Sequence, residues 1–397
     1  MRLINNRPRA AGQVIPVPTV SRRRNKQRRC GRIIRTVLSR LAVTLALAAL
    51  AGLGADWDPR LAADYLDARQ RAWLAWPPAN EDPDGPWLSC HTGLTYLLAR
   101  PALRQALGET APTQYETGLL DAVRRRLPRN SPSRFAPREK EPLASQVLGV
   151  EAVLSALLLA AEDKRRGSLS RETEQAFDRM WALQIPAGKA SGGWHWNSLD
   201  LVPWEEPDSA FFGASLAALA AGVAPSNYPE RPGVRTRLEA LTEYLQSRQQ
   251  GQPLHNRLIL AWASVHRPGV LPEADRRVIL EEALRRQQED GGWTIESLGP
   301  WPAHPRAPRS QGSNAYATGL VVFTLQRVGV PASNPRVDRA LGWLRAHQDP
   351  KAGFWDAPSM NKRYDPGSIP LHFMRDAATA FATLALLLPA ARTESMW

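Results

Sequence analysis

Several stretches of this chain read as helices that are apolar on every side, and nothing else in the sequence restricts the fold as much. ASLAALAAG (214–222), YATGLVVFTL (316–325) and ATAFATLALLL (378–388) carry no charge and are built of small and aliphatic residues. A helix without a polar face must be covered on both sides. Each such stretch follows an amphipathic one, such as DRRVILEEALRRQ (275–287), with charge confined to one face. The pattern predicts helix pairs at 58–76 with 91–107, 112–127 with 142–162, and 168–184 with 208–222. It continues at 232–248 with 254–268, 271–288 with 313–329, and 334–348 with 376–390. No period-2 strand pattern stands out.

Alternation of amphipathic and buried helices at a spacing of one hairpin is a repeat signature. It predicts an all-α fold over residues 56–397, an (α/α)6 toroid with the buried helices forming an inner ring. An open helical solenoid is the competing arrangement.

Residues 1–40 hold 12 of the 51 lysines and arginines and no acid, which leaves 39 basic against 38 acidic residues in the rest. The net charge of +13 therefore belongs to a leader and not to a folded surface, which argues against nucleic acid as a partner. LAVTLALAALAGLGA (41–55) follows the leader. A basic region, a short apolar run and small residues such as Ala49-Leu50-Ala51 form the pattern of a secretory signal, so an exported domain is expected. The competing expectation is an uncleaved segment that anchors residues 56–397 at a membrane surface. Oligomeric state is not legible. The two cysteines, Cys30 and Cys90, would leave one thiol and no disulfide in the exported part.

A finer motif recurs at the turns. Gln184 precedes Gly192-Gly193-Trp194, Gln288 precedes Gly291-Gly292-Trp293, and Gln348 precedes Gly353-Phe354-Trp355, with a fainter copy in Gln70, Gly85 and Trp87. Glycine permits the left-handed stop of a helix, glutamine can satisfy its loose carbonyls, and an indole covers the turn. This Gln…Gly-x-Trp repeat resembles the QW motif of squalene–hopene and oxidosqualene cyclases. Their wider superfamily of terpenoid cyclases and protein prenyltransferases shares the α/α toroid. The resemblance spans roughly residues 56–390 and departs from the triterpene cyclases in having room for one helical barrel where they have two.

That resemblance implies an apolar, isoprenoid-like ligand and protonation-initiated isomerisation without a metal or cofactor. The cyclases' Asp-x-Asp-Asp-Thr-Ala corresponds here to Glu205-Glu206-Pro207-Asp208-Ser209-Ala210, with proline in place of the proton-donating acid. Asp208 with Glu205 or Glu206 is then the candidate acid set, and capping of the following helix by Asp208 is the structural alternative. Asn314 and Asp376 begin other buried helices in the same way. Glu151 lies on an apolar helix face between Val147 and Leu154, which points either to an acid of raised pKa or to a buried ion pair. His91 follows Cys90 at a helix start and is a candidate support, and His195, His255, His304 and His372 fall in turns assigned to the same rim. Trp194, Trp196, Trp204, Trp293 and Trp301, with Trp87 and Trp355, would line a cavity or pack the hairpins. With Asn314, His372 and Asp376 they form the expected ligand-binding set. No His-x-x-x-His or Cys-x-x-Cys spacing supports a metal. Two further readings stay open: a non-catalytic toroid for binding or assembly at the cell surface, and a carbohydrate-active enzyme pairing Glu151 with Asp208 or Asp376.

Overall fold

The computed structural model describes residues 57–128, 137, 139–301, 304–308 and 312–388. The basic leader, the apolar segment and the domain start at residue 56 lie outside the described residues, as does the tail of the last expected helix. Among the described residues there are twelve α-helices and no β-strand. They are α1 (Pro59–Ala75), α2 (Gly93–Ala106), α3 (Gln114–Arg126), α4 (Leu143–Arg166), α5 (Arg171–Ala182) and α6 (Ser209–Val223), then α7 (Pro232–Arg248), α8 (Leu254–His266), α9 (Glu273–Arg285), α10 (Ala315–Arg327), α11 (Pro335–Ala346) and α12 (Phe373–Leu387). The fold is all-α, and most ends fall within three residues of the sequence expectation.

Local chemistry explains where the amphipathic helices start. Asp58 caps α1 by accepting from the Arg60 and Leu61 N–H groups. Thr113 and Glu116 form a reciprocal capping box on α3, Ser170 caps α5, and Asn334 caps α11 ahead of Pro335. Among the buried helices described, α10 is capped by the side chain of its own N-cap residue, Asn314, and the first N–H of α2 is taken by the Ser89 hydroxyl. The even-numbered helices are buried because their composition leaves no face for water; α6 buries every residue from Phe211 to Ala221.

Small residues let these helices approach closely. A Cβ on Gly319 of α10 would lie 2.7 Å from the Ala382 nitrogen of α12. Helix α2 packs on α4, α4 on α6, α6 on α8, α8 on α10, α10 on α12, and α12 packs back on α2. Four amphipathic helices pack on the buried helix that precedes them, α5 on α4, α7 on α6, α9 on α8 and α11 on α10, whereas α1 packs on both α2 and α12 and α3 on both α2 and α4. Helix α4 is long and apolar enough to cross a membrane, but most of it is buried within the protein as a core helix.

The recurrent turns are built to one plan. Gln184 Nε2 donates to the carbonyls of Gly192 and of Arg237 in the next amphipathic helix, both at 3.0 Å. Gln348 does the same to Gly353 and Asp58, both at 2.9 Å. In the third copy the clasp is Gln287, which reaches Gly291 at 2.8 Å and Arg336 at 2.7 Å. Gln288, the residue that the sequence suggested, is exposed, and its side-chain amide donates to the nearby Arg286 carbonyl instead of spanning the turn. The spacing between glutamine and tryptophan varies from copy to copy, so the Gln287-Gln288 pair could not be resolved by counting. Each tryptophan then ties the turn to the helix before it: the indole N–H of Trp194, Trp293 and Trp355 donates to Met180, Ala283 and Leu344 carbonyls, all at 2.7 Å. Gln70, the faint copy, is fully buried and its amide has no hydrogen-bond partner.

Candidate functional site

The segment between α5 and α6 folds into a tight turn that delivers one acid into the core. The Leu199 N–H donates to the Glu205 carbonyl and the Glu205 N–H to the Leu201 carbonyl, both at 2.9 Å. The indole of Trp196 donates to the Trp204 carbonyl at 2.9 Å and lies against α6. That approach requires glycine at position 213, where a Cβ would sit 2.1 Å from the indole. The result is that Trp204 and Glu205 are almost wholly buried, at 2% and 3% exposure.

Glu205 accepts from the Asn197 amide at 3.4 Å and from the Cys90 thiol. Burial pushes its carboxyl up to about 7, and the hydrogen bonds from Asn197 and Cys90 offset only part of that. Burial and the adjacent carboxylate hold the Cys90 thiol well above its ordinary value, so it is a hydrogen-bond donor and not a thiolate.

Aromatic rings from four helices, the α5–α6 segment, the turn before α2 and the α9–α10 segment form a continuous belt beside this acid. His91 stacks on Phe373 with centroids 3.5 Å apart and meets Trp204 at 5.7 Å. Trp204 meets Tyr316 edge-on at 5.4 Å, and His255 contacts Tyr316, Phe212 and Trp301. A hydrogen-bond chain runs through the belt. The Trp204 indole donates to the Tyr316 hydroxyl at 2.9 Å, and that hydroxyl meets His255 Nε2 at 2.8 Å. His255 Nδ1 lies 2.9 Å from Asn256 Oδ1. These bonds are all satisfied when His255 carries its proton on Nδ1 and accepts from Tyr316. Burial lowers His255 to about 4 and, aided by the positive charge of Arg69, His91 to about 3, so both are neutral at neutral pH.

The other candidates divide cleanly. Asp208 is exposed at the start of α6, and its carboxylate makes no capping hydrogen bond. Glu206 is half-buried; desolvation, with Asp200 and Asp208 nearby, raises its carboxyl. Of the Glu205-Glu206-Pro207-Asp208 cluster, only Glu205 enters the core. Glu151 is held by two guanidinium groups, Arg126 and Arg179 at 3.2 Å, with Asp82 on the far side of Arg126. It is a member of a buried ion network. Asp376 lies one turn inside α12, because that helix begins three residues earlier than expected, at Phe373. It accepts from Tyr65, Arg69 and Thr92, each at 2.8 Å, and is fully engaged. Asn314 caps α10. His372 is half-buried against Arg375 at 3.2 Å, and burial lowers it to about 4.

Trp194 and Trp293 belong to the hairpin turns, where their N–H groups are already used, and lie outside the belt. Trp196, Trp204 and Trp301 are in or against it. Of the remaining rim histidines, His195 and His304 are exposed. Sequence reasoning passed over Asn197, Tyr316, Tyr65 and Arg69. Only Tyr316 had a local signal, as a phenol opening an otherwise apolar helix. No group of three or more His, Cys, Asp or Glu side chains among the described residues is arranged to hold a metal ion.

Comparison with the sequence profiles of known protein families finds no match, and no curated protein matches the chain. Any functional reading therefore rests on the geometry and on the motif resemblance.

Proposed function

We propose that the chain is an (α/α)6 toroid, exported by its basic leader and apolar segment, that performs acid–base isomerisation of an apolar, isoprenoid-like ligand at Glu205. Ring closure is supported by the packing of α12 on α2 and of α1 on α12, and by the Gln348–Asp58 clasp. The QW-like turns support the likeness to the terpenoid cyclase superfamily.

The observation that carries the catalytic reading is Glu205: a buried carboxyl held near 7 with no cation to fix its charge, beside a belt of aromatic rings. Such a group is present in both protonation states at neutral pH, and can take a proton from one carbon and return it to another. It is too weak an acid to protonate an isolated alkene, a step that in the cyclases falls to the acid replaced here by Pro207. Double-bond migration fits its strength better than polycyclisation. The rings of Trp204, Tyr316 and Trp301 would offer apolar faces to the ligand.

A non-catalytic toroid for binding or assembly at the cell surface is the second reading, favoured by one fact: Glu205, His91, Trp204, Tyr316 and His255 are each less than a tenth exposed, as in a filled centre. The carbohydrate-active reading loses its carboxylate pair, since Glu151 and Asp376 are both committed to arginines.

The test is to extract and identify lipids retained by the purified protein, then incubate those and a panel of isoprenoids with it in deuterated water. Acid–base isomerisation places deuterium on ligand carbon, and Glu205→Gln abolishes it. A retained lipid that neither acquires deuterium nor shifts a double bond supports the binding reading and rules out the catalytic one.

A further inference from the structure

Helix α8 begins in the aromatic belt at His255 and ends at His266, about 16 Å away at the rise of an α-helix. At that far end a cleft of about 730 Å³ opens beside the C-terminal turn of α10. The volume falls in the range of small-molecule sites. Its walls include the apolar Val265, Leu271, Pro272 and Val328, and its polar groups include Gln326 and Arg327.

Arg327 is the group without an explanation in the fold. Its Nη2 donates to His266 Nε2 at 2.9 Å, while its Nε is buried with no hydrogen-bond partner. Among the described residues no carboxylate is paired with it. Gln326 Oε1, one residue before, is likewise buried without a donor. The other arginine of the cleft, Arg276, is already taken by Glu273 and Ser264. His266 is lowered to about 4 by burial and by the positive charges of Arg327 and Lys164, so it adds no charge of its own and acts as a neutral acceptor. The carbonyl end of α10 favours a cation here but leaves Nε without an acceptor. Arg327 therefore brings to the cleft wall a guanidinium that no carboxylate among the described residues neutralises.

We propose that this cleft binds a small oxyanion, carboxylate or phosphate, carried on an apolar body, with Arg327 as its anchor. The planar fork of a guanidinium suits either oxyanion, and the apolar walls suit the attached body. The site is separate from Glu205 and does not depend on its chemistry.

Isothermal titration of the purified protein with inorganic phosphate and, separately, with octanoate tests the proposal. Binding of either probe is expected, weakened roughly tenfold or more by Arg327→Gln. Phosphate binding without octanoate binding assigns a phosphate ligand, and the reverse assigns a carboxylate on an apolar chain. Val328→Trp, which fills the cleft and leaves Arg327 in place, is expected to block the same probe, and it keeps the test decisive if Arg327→Gln misfolds. Far-UV circular dichroism checks the fold of each variant. Binding of neither probe, or binding unchanged in Val328→Trp, overturns the proposal.

Discussion

Gln348 and Asp58, 290 residues apart in the chain, exchange two hydrogen bonds: the glutamine amide donates to the Asp58 carbonyl at 2.9 Å, and the Asp58 N–H donates back at 2.5 Å. The same Asp58 caps α1, so the turn that follows α11 and the start of α1 share one anchor. Gly353 completes the contact. It has a φ of +77°, and a Cβ there would lie 2.3 Å from the Leu61 backbone carbon.

Gln348→Ala would strand the Asp58 and Gly353 backbone groups together, at a cost of about 2 kcal/mol by the usual penalty for buried unpaired groups. Gly353→Ala adds left-handed strain to a backbone collision and should cost more, about 3 kcal/mol. Urea denaturation measures both. The third clasp supplies an internal control: Gln287→Ala is expected to cost less than Gln348→Ala, about 1 kcal/mol, because its bond to Arg336 is exposed, and Gln288→Ala close to nothing. Equal losses at 287 and 288 would contradict the assignment of the clasp.

The helices were legible because burial on every side is a property of composition, readable one segment at a time. The site was not, because its members come together from separate helix starts. Cys90, Glu205 and Tyr316 meet only after α2, α6 and α10 have packed, and nothing local marks them as neighbours. The motif drew attention to Asp208, yet the turn at 199–205 sends Glu205 inward and leaves Asp208 in water. Glu151 was visible as a charge on an apolar face, but its partners Arg126 and Arg179 lie on other helices and looked like ordinary surface arginines of amphipathic segments.

Asp208 offers a direct check on that division. It is exposed and caps nothing, so Asp208→Asn should leave both the unfolding midpoint and any ligand isomerisation unchanged. Loss of turnover in a folded Asp208→Asn protein would return the acid assignment to the last position of the motif.

Glu151 should behave as a structural ion. Its two guanidinium partners are 2% and 6% exposed, so Glu151→Ala leaves Arg126 with Asp82 alone and Arg179 with no carboxylate among the described residues. Removing one member of a buried ionic network costs about 3–5 kcal/mol. Chemical denaturation should show that loss, or the variant should fail to accumulate as folded protein. A cost below 1 kcal/mol would show that water reaches the network.

The protonation of Glu205 has a thermodynamic signature independent of any ligand. Its carboxyl titrates near 7 in the folded chain, against the ordinary 4.5. The folded protein therefore keeps a proton that the unfolded chain releases between those values. Glu205 leaves stability unaffected below about 4.5, erodes it as pH rises through the window, and exacts the full penalty above about 7, on the order of 3 kcal/mol. The buried histidines act in the opposite sense. His91, His255 and His266 are held neutral, with values of about 3 to 4, so stability is lost as pH falls below their ordinary 6.5. The wild-type profile should peak between these limbs, and the difference between wild type and Glu205→Gln isolates the carboxyl, because glutamine does not titrate. The variant is expected to gain on wild type steadily as pH rises from 4.5 to 7, with the gain level above that. A difference that stays constant with pH would mean that Glu205 keeps the ordinary carboxylate value, and would remove the observation on which its catalytic role rests.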